Sequence, residues 1–312
     1  MQPFRGRCFG GTVPAHVHAV EGYAAVRGGR TWYSVVGEGT AVPLVTVHGG
    51  PGGTHDYLEP LEALADERAV VFYDQLGAGK SDAPEDISLW TNDRMVEELG
   101  QVLDTLAFSR VHLLGQSWGT IIAAEYALRS PGRLAGLVLS DPCLSMPLFA
   151  AATAALRATL PTDVQEVLDR HEAAGTMDSE EYEQAAMEFY SRFVCRLNPW
   201  PDALMRSFGQ LNQSIYERMQ GPNEFIISGI HKDYDITDRL GSVAVPTLFI
   251  CGRYGETRPE ETEFYRSLVP GAELVIFEES SHLPHLEERE RYLEVLRDFL
   301  HRFDRATSEG KP

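Results

Sequence analysis

The chain has 312 residues, of which 43% are hydrophobic, and its 27 Lys and Arg against 46 Asp and Glu give a formal net charge of −19 at pH 7. Such a composition excludes a low-complexity disordered chain and allows a sizeable core. The negative charge disfavours phosphate backbones and anionic lipid, so we expect neither nucleic acid nor a membrane as partner. It suits a cationic or amine-bearing ligand, although solubility alone also accounts for it.

The N-terminal segment and the cysteines indicate the compartment. Residues 1–20 contain no apolar segment typical of a signal peptide. The most apolar later run, residues 148–160, is interrupted by Arg157 and is shorter than the roughly 20 residues of a membrane span. No pair of cysteines has C-x-x-C spacing, so neither a zinc site nor a dense disulfide framework is predicted; the four are Cys8, Cys143, Cys195 and Cys251. We expect a cytoplasmic protein.

Short β-branched runs alternate with helical patterns along most of the chain. The first two runs, 17–26 and 31–37, are predicted to pair antiparallel through Gly28-Gly29. Strands alternating with helices predict a mostly parallel sheet that is covered on both faces. The further predicted strands are 44–47, 69–73, 111–114, 134–139, 247–250 and 274–277, and the predicted helices are 92–106, 119–129, 260–268 and 288–303.

This alternation stops from about residue 146 to about residue 229 and resumes at Ile236. The intervening sequence is helical in pattern, for example over residues 178–193, and turn signals such as Gly221-Pro222 interrupt it. It predicts a helical insertion between two strands. We therefore expect a first core part over 1–145, a helical cap over 146–235 and a second core part over 236–312, with a frayed tail at 306–312.

A serine motif follows the predicted strand 111–114. The segment Gly115-Gln116-Ser117-Trp118-Gly119 has the pattern G-x-S-x-G and leads into a predicted helix. Its glycines permit so sharp a turn that the Ser117 hydroxyl projects at the end of the strand. A serine in an ordinary tight turn is the alternative, because five-residue matches arise by chance, but the strand–turn–helix context favours a nucleophile.

A glycine-rich loop follows the predicted strand 44–47, with the sequence His48-Gly-Gly-Pro-Gly-Gly53. Such a loop can present backbone N–H groups to a tetrahedral oxyanion, and the expected donors are the amides of Gly50 and Trp118. A flexible turn or a phosphate-binding loop are the alternatives, and the latter lacks its Gly-Lys-Ser/Thr ending. We interpret His48 as a structural hydrogen-bonding residue rather than a metal ligand.

A histidine segment, Ser280-Ser-His-Leu-Pro-His285, follows the last predicted strand. A histidine at this place completes a chain order in which a serine nucleophile precedes its general base. His282 and His285 both qualify. We favour His282 because it precedes the proline and lies nearer the end of the strand.

Several separated motifs, taken together and in this order, resemble one known family. The matching segments are 48–52, 73–81, 115–119, 195–201, 221–225 and 281–285. They are similar to segments of the proline iminopeptidases, serine aminopeptidases of the α/β-hydrolase fold, and the resemblance covers nearly the whole chain. It implies an eight-stranded, mostly parallel sheet with a helical cap domain inserted after strand 6, and a reaction that needs no metal or organic cofactor.

The resemblance also implies a site for the substrate's free α-amino group. In the family, the glutamate of the G-P-N-E-F segment and the glutamate after the triad aspartate bind this group; by position they are Glu224 and Glu256. A buried ammonium group needs carboxylate partners, and such partners restrict an enzyme to unblocked N-termini. Each glutamate alone could equally be an ordinary solvated acid.

The chain departs from the family at the third member of the triad. The family pattern after the strand at 247–250 is Gly-Arg-Tyr-Asp-Glu, with Asp as the acid, but here Gly255 takes the place of that Asp. Without an acid to hold the histidine tautomer, a serine triad loses roughly 10⁴-fold in rate. Three hypotheses follow from the missing acid.

The first hypothesis is that the acid has moved to Asp141, at the end of the predicted strand 134–139, where some α/β-hydrolases carry it. The alternative for Asp141 is a turn residue before Pro142. The second is that Glu256 becomes the acid and gives up amine binding. The third is a crippled protein, either an active-site variant or a non-catalytic relative.

The sequence thus predicts amide hydrolysis through an acyl-enzyme. Ser117, deprotonated by His282, attacks the carbonyl after the N-terminal residue, with Asp141 as the acid. The family resemblance implies that this residue is small, such as proline or alanine. The leaving group is a peptide, an arylamide or an aminoacylated intermediate of a biosynthetic pathway. Candidate cavity-lining aromatic residues of the cap, which could equally form its core, are Phe149, Phe193, Trp200 and Phe208.

The sequence also allows two functions other than an aminopeptidase. An esterase, lactamase or thioesterase of the same fold would hydrolyse esters or N-acylated substrates, whereas the two glutamates predict a demand for a free amine. A non-catalytic amine or peptide binder would bind without turnover. Dehalogenase and epoxide hydrolase activities are disfavoured because Ser117 replaces the aspartate nucleophile that they need.

Overall fold

Alternating strands and helices build a single mixed sheet in the computed structural model, which describes residues 19–304. Cys8, the first two residues of the strand predicted over 17–26, and the tail at 306–312 lie outside this range. Within it, seven strands form the sheet. They are β1 (Ala19–Val26), β2 (Gly29–Val47), β3 (Arg68–Tyr73), β4 (Val111–Gln116), β5 (Leu134–Ser140), β6 (Thr247–Gly252) and β7 (Glu273–Phe277).

The long strand β2 bends, so that its two halves lie on either side of β3. Residues 33–36 pair with residues 70–73 on one side, and Leu44 and Val45 pair with Val70 and Val71 on the other. The second half of β2 then begins the parallel part of the sheet, which continues through β4, β5, β6 and β7. Counting the halves of β2 separately gives the eight predicted strands, and the predicted α/β-hydrolase fold is confirmed.

Helices cover both faces of the sheet and also form the insertion. Those packed on the sheet are α1 (Asn92–Thr105), α2 (Gly119–Arg129), α8 (Pro259–Leu268), α9 (Pro284–Glu287) and α10 (Arg289–Phe303). Between β5 and β6 lie α3 (Met146–Arg157), α4 (Thr162–Ala174), α5 (Glu180–Phe193), α6 (Asp202–Gly209) and α7 (Gln213–Met219). Among the described residues, no helix is long and apolar enough to cross a bilayer.

The apolar strands supply two separate cores because their side chains alternate between the faces of the sheet. Leu113 and Leu137 belong to the cluster under α1 and α2, whereas their chain neighbours Leu114 and Val138 belong to the cluster under α10. A third cluster lies within the insertion, around Phe189 of α5. The insertion therefore has its own core. Its division from the rest of the chain at residues 146 and 235 stays a prediction.

The turn from β4 into α2 depends on the close approach of two backbone segments. A Cβ atom added to Gly119 would lie 2.2 Å from the carbonyl oxygen of Val47, and one added to Gly115 would lie 2.6 Å from the carbonyl oxygen of Gly119. Real Cβ atoms do not approach backbone oxygen so closely. Only glycine at both positions lets β4 and α2 meet beside the end of β2.

We expect Gly119→Ala to destabilise the protein by about 1–3 kcal/mol, since the added methyl group must push backbone apart. The shift of the urea unfolding midpoint measures this change. Gly132→Ala is the matched control, because a Cβ atom there meets nothing within 4 Å. Equal midpoints for the two variants would contradict the close-approach argument.

Candidate active site

Ser117 occupies the tight turn between β4 and α2. Its φ angle of +54° is in the left-handed region, which is rare for residues other than glycine. Hydrogen bonds fix this turn on both sides: the Ser117 amide donates to the Ser140 carbonyl at 2.9 Å, and the Thr120 amide donates to the Ser117 carbonyl at 2.9 Å. The serine side chain thus lies at the carboxyl edge of the sheet, half-buried and facing a cavity.

The glycine-rich loop after β2 lies directly against the serine. A Cβ atom on Gly49 would be 2.9 Å from the Cβ atom of Ser117. The next residue, Gly50, has a φ angle of +118°. Within residues 19–304, the amides of Gly50 and Trp118 make no hydrogen bond to the protein. Both donors are therefore available to an oxyanion beside Ser117.

A buried chain of hydrogen bonds joins the serine strand, the glycine loop and the histidine segment. The Tyr57 hydroxyl accepts from the Gly49 amide at 2.7 Å and donates to Gln116 Oε1 at 2.6 Å. Gln116 Nε2 then donates to the His282 carbonyl at 3.0 Å. The end of β4, the glycine loop and the histidine segment are thereby held together.

His282 lies in the cavity and His285 does not. His282 lines the same cavity as Ser117, without a hydrogen bond between the two side chains. His285 Nε2 instead lies 3.1 Å from the Tyr57 carbonyl, to which it can donate, and its ring packs on the Tyr57 ring. Burial, with a smaller contribution from His285, lowers the pKa of His282 to about 3, so its imidazole is neutral near pH 7. Its Nδ1 atom is buried, with no hydrogen-bond partner among the described residues.

Two carboxylates lie beside these groups. Glu224 Oε1 accepts a hydrogen bond from the Tyr216 hydroxyl at 2.7 Å, and burial raises the pKa of Glu224 to about 7. Glu256 is 1% exposed, and neither of its carboxylate oxygens has a hydrogen-bond partner within the described chain. Burial raises the pKa of Glu256 well above its usual value, and the negative charges of Glu224 and Asp141 raise it further. An ammonium group near them would favour their ionised forms.

Glu256 also approaches the histidine. Its Oε1 atom lies 3.4 Å from His282 Nε2. This contact is with the ring nitrogen that a serine nucleophile uses in a triad, and not with Nδ1, which the acid uses.

Asp141 lies at the end of β5, fully buried, with a left-handed φ angle of +49°. Its Oδ1 atom accepts from the Gly252 amide at 3.2 Å, and its Oδ2 atom accepts from the Ser140 hydroxyl at 3.2 Å. Burial raises the pKa of Asp141 well above its usual value. The structure places no hydrogen bond or ion pair between Asp141 and His282, both of which it describes.

Gly255 is buried in the loop after β6. A Cβ atom there would lie 3.3 Å from the Ser281 carbonyl oxygen and 3.4 Å from the His282 amide nitrogen. Position 255 therefore borders the histidine segment, but it carries no side chain.

The cavity has an empty volume of about 550 Å³. Of the four aromatic side chains predicted as candidates, only Phe208 lines it; Phe149, Phe193 and Trp200 pack in the apolar clusters. The remaining lining residues are Gly49, Gly50, Gly53, Tyr57, Gln116, Ser117, Val194, Leu204, Ser207, Leu211, Tyr216, Glu224, His282 and Leu283.

One group of three metal-ligand side chains comes together among the described residues, outside the cavity: His55, Asp56 and Glu59. Arg206 pairs with both carboxylates, and Asp74 pairs with the histidine at 2.7 Å. His48, interpreted above as structural, has both ring nitrogens engaged, with the Gly49 carbonyl at 2.8 Å and the Gln75 amide at 3.0 Å.

Sequence reasoning missed three polar residues of the site: Tyr57, Gln116 and Tyr216. Gln116 stands inside the serine motif, so its position next to the nucleophile was a usable signal. Tyr57 and Tyr216 belong to ordinary helical sequence. Only the three-dimensional contacts with Gly49 and Glu224 reveal them.

Comparisons with known proteins show which family model and which relatives the chain resembles. A family model described as the alpha/beta hydrolase fold matches residues 42–289. A proline iminopeptidase of Heyndrickxia coagulans is 45% identical over 282 residues, which cover 90% of this chain and 98% of that protein. One of Saccharolobus solfataricus is 38% identical and covers 91% of this chain and 93% of that protein.

Two solved structures are also similar to this chain over most of its length. The crystal structure of VinJ superposes with a TM-score of 0.89 at 40% identity, over 91% of this chain and 99% of that chain. The crystal structure of a proline iminopeptidase from Mycobacterium smegmatis gives a TM-score of 0.85 at 38% identity, again over 91% and 99%.

We expect Tyr57→Phe to lower kcat by about one to two orders of magnitude with little change in KM or fold. The variant leaves the Gly49 amide and Gln116 Oε1 without their partner, so the glycine loop and the histidine segment lose their common support. Steady-state kinetics on an arylamide substrate, with circular dichroism as the check on folding, measure the effect.

Tyr73→Phe is the matched control for this variant. The Tyr73 hydroxyl is equally buried but has no hydrogen-bond partner within the described residues. If the two variants had the same kcat, the Tyr57 hydroxyl would have no role in positioning the site.

Proposed function

The chain belongs to the proline iminopeptidase family of α/β-hydrolases, and on that basis we propose that it releases a small N-terminal residue, of the proline or alanine type, from a peptide or an aminoacyl amide. The observation that carries the proposal is the presence of Glu224 beside Ser117 and His282 in one cavity, with Glu256 next to His282. A serine nucleophile with buried carboxylates nearby fits an amide substrate that has a free amine.

The proposed reaction begins at the Ser117 hydroxyl. His282 Nε2 takes its proton as Oγ attacks the carbonyl carbon after the N-terminal residue. The carbonyl oxygen becomes an oxyanion, to which the Gly50 and Trp118 amides donate. When the intermediate collapses, the C–N bond breaks and His282 gives the proton to the leaving amine. Water then attacks the acyl-enzyme in the same way and releases the free amino acid.

The environment of His282 determines how it can act as the base. Burial keeps the imidazole neutral near pH 7, so that Nε2 has a free lone pair, but the lowered pKa also makes the imidazole a weak base unless a carboxylate stabilises its protonated form. The imidazolium that forms would be buried, and it needs a nearby negative charge for its stabilisation. This need makes the identity of the acid important for turnover.

We propose Asp141 as the acid. Two observations support this assignment: the buried carboxyl group of Asp141 has no cationic partner among the described residues, and the buried Nδ1 atom of His282 has no hydrogen-bond partner there. The left-handed backbone at Asp141 is also typical of residues held for function. Glu256 is the less suitable acid, because it approaches the Nε2 atom that Ser117 requires. It is better placed to bind the amine with Glu224.

The first test of the function is amino-acid release from prolyl and alanyl arylamides, compared with their N-acetylated forms. We expect turnover of the free amines only, because an acetyl group removes the positive charge that Glu224 and Glu256 would bind. Ser117→Ala should abolish the activity.

The outcomes of this test separate the candidate functions. Equal turnover of the blocked substrates would contradict the amine site and indicate a general esterase or amidase. No turnover, together with no labelling of Ser117 by a serine-directed phosphonate, would indicate a non-catalytic binder.

The acid is tested by comparing Asp141→Asn with Glu256→Gln. We expect Asp141→Asn to lower kcat by roughly 10³–10⁴-fold, as for a triad that loses its acid, and Glu256→Gln mainly to raise KM. Steady-state kinetics at several pH values measure both variants. A near-silent Asp141→Asn in an active protein would contradict the assignment.

Gly255→Asp in the Asp141→Asn background is the control for misfolding. The space at position 255 admits a Cβ atom with shifts of a few tenths of an ångström, so a carboxylate can be introduced from the end of β6. Recovery of the rate would show that the first variant lost its acid and not its fold.

A further inference from the structure

The cavity carries only negative or neutral side chains. Its described lining includes one carboxyl group, that of Glu224, and the neutral imidazole of His282, but no Lys or Arg. Glu256 adds a second carboxyl group next to His282. A substrate amine is attracted by this arrangement, whereas a substrate carboxylate is repelled.

Two arginines of the segment that carries an apolar wall of the cavity, Arg196 and Arg206, already have partners. Arg206 of α6 forms ion pairs with Asp56 and Glu59. Arg196 lies over the ring of Tyr254, 3.9 Å from its centroid, and donates to the Glu279 carbonyl. Neither arginine lines the cavity, so neither offers a free cation to a bound substrate.

One wall of the cavity is apolar and reaches the surface. Leu204 and Phe208 of α6, with Leu211 just after it, have the spacing i, i+4, i+7 and therefore lie on one side of the segment. Phe208 is 39% exposed, and its ring packs at 5.1 Å on the ring of Trp200. An apolar group that leaves the cavity along this wall meets further hydrophobic surface.

We infer that the natural substrates are aminoacyl amides whose leaving amine is apolar and uncharged, and that dipeptides with a free carboxylate are poor substrates. This inference rests on the proposed function and specifies its substrate class.

The geometry of a dipeptide explains the discrimination. Its free carboxylate is separated from the scissile carbonyl carbon by only the amide nitrogen and one Cα atom, so it stays close to Ser117, among lining side chains that include no cation. It would lose water there without gaining a cation, in a cavity that already carries the carboxyl group of Glu224. Amidation removes this charge and leaves the shape almost unchanged.

The test compares prolyl-leucine with prolyl-leucine amide on the unmodified protein, with prolyl arylamide as the check on activity. We expect kcat/KM to be at least about tenfold higher for the amide than for the free acid. Equal values, or a faster free acid, would overturn the inference. Failure to cleave even the arylamide would instead count against the proposed function itself.

A charge variant tests whether the cavity causes the preference. Leu211 is half-buried at the apolar wall, and Leu211→Arg would supply the missing cation. We expect it to raise kcat/KM for the free acid relative to the amide by several-fold.

The matched control is Ile87→Arg, which adds the same charge at a 58% exposed apolar residue outside the cavity. It should leave the ratio of the two substrates unchanged. An equal shift in both variants would overturn the inference, because the preference would then arise from the overall charge of −19. The comparison of the two substrates on the unmodified protein stands even if Leu211→Arg does not fold.

Discussion

The close contact between the end of β2 and the start of α2 is the constraint on which the site depends. Because Gly119 lies against the Val47 carbonyl, β4 must turn within a few residues, and Ser117 is forced into a left-handed conformation. The same contact brings the loop after β2 to the side of the serine. The positions of the proposed nucleophile and of the proposed oxyanion donors are therefore consequences of one backbone approach, and Tyr57 with Gln116 then joins them to the histidine segment.

Burial gives these groups their chemical character. Removed from water, Glu224 and Glu256 hold protons more tightly, while His282 holds its proton less tightly. The site is thus poorly suited to keep separated charges, and in the proposed reaction a substrate ammonium group supplies the positive charge. Binding and ionisation of the carboxyl groups are consequently linked, and the same carboxyl groups disfavour a second anion in the cavity.

The sequence was sufficient where chemistry is local and insufficient where it depends on contacts between distant segments. The glycines around Ser117 predict the turn because no other residue fits the backbone approach, and the alternation of strands and helices predicts the parallel sheet. The bend that makes the predicted strands 31–37 and 44–47 one continuous β2 depends on pairing with β3 and has no local signal. Tyr57 could not be predicted, since its hydroxyl acts through Gln116 on β4, which is distant in sequence. Tyr216 binds Glu224 eight residues along the chain, past the end of α7, a spacing that no helical repeat indicates.

The proposed placement of the acid at Asp141 depends on the order of strands at the carboxyl edge. β5 and β6 are neighbours, and the histidine segment lies directly over the end of β6, where a Cβ atom on Gly252 would collide with the Ser281 carbonyl. A carboxylate at the end of β6 would therefore border the histidine segment, and the end of β5 is the adjacent position in the sheet. Asp141 at the end of β5 has a left-handed backbone conformation, and its carboxylate accepts a hydrogen bond from the Gly252 amide at the end of β6. Under the proposed assignment, the end of β5 supplies the carboxylate that position 255 lacks, since Gly255 carries no side chain.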